Sequence, residues 1–159
     1  MSSTEDQDRC SGTLEFTSGA LEYSDSGRAI WRTPVQHLAV VGEFTTPSLG
    51  DDYFLVFVTP SARCFQASFY AVGRDAALSS LSVVLGASLQ PGLCNSTELR
   101  SRVMWPPSLL GQPLLEPSEP ARRRFAGRVS ALLGLGQSPV PLSPAVLSYV
   151  RGLGPLHAA

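Results

Sequence analysis

The sequence predicts a mainly β, α+β fold: a bent antiparallel sheet or partly open barrel, capped by one helix and followed by a helical extension. Three observations predict it. Between Thr13 and Ala71, apolar side chains alternate or run in short blocks closed by turn residues, as in strands. From Asp75 to Leu85 the apolar spacing lengthens to that of an amphipathic helix. Beyond Ser118 the same helical spacing returns twice. At 159 residues and 43% hydrophobic, the chain fits one domain with a core of its own.

The elements follow in order. Residues 1–10 are polar and charged and read as a disordered tail. Leu14 and Phe16 share one face of a first strand. Ser18-Gly19 turns the chain, and Leu21 and Tyr23 continue that face on a second strand, with Glu15 and Glu22 opposite. Ser24-Asp25-Ser26-Gly27 is a turn, after which Arg28 to Arg32 reads as a third strand with Ile30 inward and Trp31 outward. Thr33-Pro34 interrupts the ladder, because proline has no N–H to give.

Leu38 to Phe44 resumes as strand, with Leu38, Val40 and Gly42 on one face and Ala39, Val41 and Glu43 on the other. The run Tyr53-Phe54-Leu55-Val56-Phe57-Val58 is apolar at every position, which suits a strand covered on both faces. Arg63 to Ala71 alternates again. Asp75 is the expected N-cap of the helix bearing Leu78, Leu81 and Leu85, and Gly86 is its expected stop.

Residues 11–88 thus form the strand-rich section. Residues 89–120 hold six of the thirteen prolines and read as an extended wrap, with one helical turn or an edge strand at Glu98–Met104. Residues 121–159 carry two short amphipathic helices. The first begins near Ser118-Glu119-Pro120 and holds Phe125, Val129, Leu132 and Leu133. The second opens at Ser143-Pro144 and holds Val146, Leu147, Val150 and Leu153.

The pattern Leu14…Leu21-Glu-Tyr23, Ile30…Leu38-Ala-Val40-Val41-Gly42, Tyr53 to Phe57, Phe65…Phe69 and Leu78…Leu81…Leu85 resembles a pleckstrin-homology-like domain, in particular the compact GRAM-type or bacterial variants. The resemblance spans about half of the chain. It implies a bent antiparallel barrel plugged at one end by the helix, a scaffold that serves many ligands. Six strands precede the helix here, where the family usually has seven. The basic early hairpin of phosphoinositide-binding members is missing, since Thr13 to Tyr23 holds two Glu and no cation.

Charge is unevenly spread. Residues 1–99 hold five Arg and eleven Asp or Glu, and residues 100–159 hold seven Arg and two Glu, so −6 faces +5. Attraction between the two parts within the chain is the simplest consequence. All twelve cations are arginine. Three cysteines without paired spacing suit a reducing compartment, and MSSTEDQDRC has no apolar core for a signal peptide, so a cytoplasmic location is expected.

Candidate chemistry is sparse. No metal-ligand spacing, phosphate loop or nucleophile elbow is present, so neither cofactor nor metal is expected. Three readings compete. The first is a non-catalytic protein-binding or scaffolding module, its contacts drawn from Trp31, Trp105 and the arginine helix Arg122, Arg123, Arg124 and Arg128, or by self-association. The two tryptophans packing on each other is the simpler account of that pair. The second reading is a phosphate or anionic-lipid binder through Arg122 to Arg128, because guanidinium forks suit oxyanions. The third is an enzyme with His37, Asp51 and Arg63 around the barrel mouth. Nucleic-acid binding is not expected, for want of a wide basic footprint.

Overall fold

The computed structural model describes residues 12–46, 53–93, 99–116 and 141–153. The expected tail 1–10, Asp51, the helix opening near Ser118 and Arg122, Arg123, Arg124 and Arg128 lie outside the described residues.

Two antiparallel sheets form the frame, rather than one sheet closing into a barrel. The first has three strands in chain order: β1 (Thr13–Thr17), β2 (Ala20–Asp25) and β3 (Arg28–Pro34). Both connections are two-residue turns with positive φ throughout, Ser18-Gly19 and Ser26-Gly27. Such turns match the twist of the strands they join. A short 3-10 turn, Val35–His37, then carries the chain out of this sheet. The second sheet has four strands, β4 (Val40–Thr45), β5 (Tyr53–Val58), β6 (Cys64–Ser68) and β7 (Arg100–Trp105), in the order β6-β5-β4-β7.

Two helices lie among the described residues. Helix α1 (Arg74–Leu85) separates β6 from β7, and α2 (Pro144–Gly152) ends the described chain. A seventh strand is therefore present, but it comes after the helix and joins β4 as an edge. The proline-rich section 89–120 supplies it, along with a 3-10 turn at Pro107–Leu109.

Every residue of β4 and β5 is buried. Their two faces supply two different cores. One is shared with the three-stranded sheet and α1 and holds Leu14, Leu21, Val41, Phe57, Leu78 and Leu81. The other lies under α2 and the 109–115 segment and holds Val40, Phe44, Val56, Leu114, Val146 and Val150. The apolar run in β5 thus reflects cover on both faces, at about 1.5–3 kcal/mol for each large side chain withdrawn from water.

Four sequence expectations change. Trp31 points inward, only 5% exposed, against Tyr23, Phe57 and Phe65, with ring centroids 5.9, 5.7 and 5.3 Å away. The cause is a β-bulge. Tyr23 pairs with Trp31 and Ser24 with Ala29, which leaves Ile30 as the extra residue and breaks the alternation. Leu38 and Ala39 swap sides relative to Val40, because β4 begins only at Val40, after the 3-10 turn. The N-cap of α1 is Gly73, and Asp75 sits in the first turn, ion-paired to Arg74 at 2.8 Å.

The fourth change is the missing barrel closure. The β3 and β6 edges meet through a side chain rather than a ladder: the Trp31 indole N–H donates to the Gln66 carbonyl at 2.7 Å. Pro34 and the Ile30 bulge make β3 a poor partner for further strand pairing.

Candidate functional site

The most concentrated polar chemistry among the described residues surrounds Glu43. Alternation along β4 puts Glu43 on the face of Val41, against the core shared with α1. The residue is 0% exposed. Withdrawing a carboxylate from water costs several kcal/mol unless partners replace the lost hydration, and three groups do so.

Arg102, directly opposite on β7, donates from Nε at 2.9 Å and approaches from Nη2 at 2.7 Å, both at Oε1. The Gly92 N–H donates to Oε1 at 3.0 Å and Oε2 at 3.2 Å. The Tyr53 hydroxyl donates to Oε2. The Leu93 N–H in turn donates to the Tyr53 oxygen at 3.3 Å.

The loop after α1 delivers these amides. Gly86, in the left-handed region, ends the helix, with the Ala87 N–H returning to the Ser82 carbonyl at 3.1 Å. Ser82 Oγ then accepts the Leu89 N–H at 3.1 Å, and Leu89 is buried. From there the Gln90 carbonyl accepts from Arg102 Nη2 at 2.8 Å. Gly92 matters for its size. A Cβ there would stand 3.0 Å from Arg102 Nη2 and 3.2 Å from Cζ, so the bare backbone lets the guanidinium lie close against the loop and a side chain would push it outward.

A second contact series runs from Tyr53 toward α1. Its ring stacks on Phe69 with centroids 3.8 Å apart and planes 18° apart. The Arg74 guanidinium lies 3.9 Å from the Phe69 centroid, and Arg74 Nη1 donates to the Phe69 carbonyl at 2.7 Å. Stacking and cation–π contact add to the hydrogen bonds in holding Tyr53 in place.

Beside this network, at the outer edge of β7, a cleft of about 280 Å³ opens. Arg102 lines it with a side chain 33% exposed, so one guanidinium serves the buried carboxylate and also borders open space. Leu93, Leu99, Ser101, Pro113 and Leu115 supply much of the remaining wall.

The residues singled out from sequence are scattered. Trp31 is buried in the inter-sheet core, where its whole indole is engaged. Trp105 ends β7, half-buried against the same core. His37 lies in the 3-10 turn before β4 and Arg63 precedes β6 with its guanidinium 5.8 Å from the Phe65 centroid. Among the described residues no group of His, Cys, Asp and Glu is arranged to hold a metal ion. No helix of the described residues is long and apolar enough to cross a membrane.

Glu43, Tyr53, Gly92 and Arg102 did not stand out as a set in the sequence. A signal existed: Glu43 is the one charge inside a strand otherwise apolar on both faces, and Arg102 lies in the arginine-rich later part. Their pairing realises, at one place, the attraction expected between the acidic and basic parts. No family model, curated protein or solved structure matches the chain.

Proposed function

We propose that this chain is a non-catalytic protein-binding or scaffolding module. One observation carries the reading. The strongest polar cluster among the described residues is spent on the fold: both Glu43 oxygens are engaged by Arg102, Gly92 and Tyr53. A general base or nucleophile needs a free lone pair within reach of a substrate proton. Here the cluster instead stiffens β7 and the loop beside an open cleft, as a docking surface requires.

The likeness in strand and helix order to pleckstrin-homology-like domains supports a binding role by analogy alone. A cytoplasmic setting belongs to the same reading and rests on the sparse, unpaired cysteines.

The test is capture of partners. The tagged full chain is expressed in its cells of origin, cross-linked, and its retained proteins are quantified. The reading expects one or a few proteins, or a second copy, at near-stoichiometric recovery. A strictly monomeric chain retaining nothing above a tag control overturns it.

A further inference from the structure

We draw no further inference here: the strongest candidate, the outer face of α1 where Val83 and Val84 stand exposed, is an apolar patch with nothing in the structure to show what covers it.

Discussion

Arg102 and Glu43 are cross-strand neighbours on β7 and β4, and two guanidinium nitrogens converge on one carboxylate oxygen at 2.7 and 2.9 Å. This contact joins the latest strand to the centre of the sheet and orders the loop that follows α1. The pair is asymmetric: the acid is wholly buried and the base one-third exposed.

Arg102→Ala is therefore expected to leave a buried carboxylate short of its main donor, at a cost of roughly 3 kcal/mol, the low end for breaking a buried pair. Replacing both partners, Glu43→Leu with Arg102→Met, is expected to cost less than the single change. Urea unfolding of the single and double variants measures both. A double variant no more stable than Arg102→Ala contradicts this account of the pair.

Gly42 is expected to tolerate no side chain. A Cβ there would stand 2.8 Å from the Arg102 carbonyl and 2.8 Å from Leu114 Cδ2. Gly42→Ala should destabilise by about 1–3 kcal/mol through overpacking, although alanine is the better strand residue in isolation. Combined with Leu114→Ala, the two penalties should sum to less than their separate values, because one clash is removed. Thermal unfolding of the three variants reads the coupling.

Ser143→Ala should lower stability by about 1 kcal/mol. Its Oγ accepts the Val146 N–H at 3.3 Å at the start of α2, and the residue is buried, so water cannot easily replace the cap. Circular dichroism during urea unfolding gives the value, and an unchanged midpoint would show that the cap contributes nothing.

Trp31→Phe should cost about 1–3 kcal/mol, since it empties part of the inter-sheet core and strips the Gln66 carbonyl of its donor. Its indole fluorescence should be blue-shifted in the folded chain and shift red on unfolding, because the ring is only 5% exposed. Emission from a Trp105→Phe background isolates it.

How far the fold could be read from the sequence followed from how local each cause is. The hairpin turns at Ser18-Gly19 and Ser26-Gly27, the apolar β5, the stop of α1 at Gly86 and the Ser143-Pro144 start of α2 depend on a few adjacent residues, and each stands where its pattern places it. The inward turn of Trp31 depends on a bulge at Ile30, which alternation alone cannot register. The split into two sheets depends on β4 pairing with β7, across some sixty residues that include a helix and several prolines. The Glu43 site is hidden for the same reason. Its carboxylate, phenol, loop amide and guanidinium come from four separate stretches, and nothing in any one stretch announces the others.

The structural role of Glu43 is tested most directly by amide hydrogen exchange in the free chain, resolved by residue along the loop after α1. The Gly92 N–H donates to the buried Glu43 carboxylate and should exchange slowly. In the Glu43→Leu, Arg102→Met variant it should exchange at least roughly tenfold faster, because its acceptor is gone. A Gly92 amide that exchanges as fast in the native chain as in that variant contradicts a carboxylate that holds the loop in place.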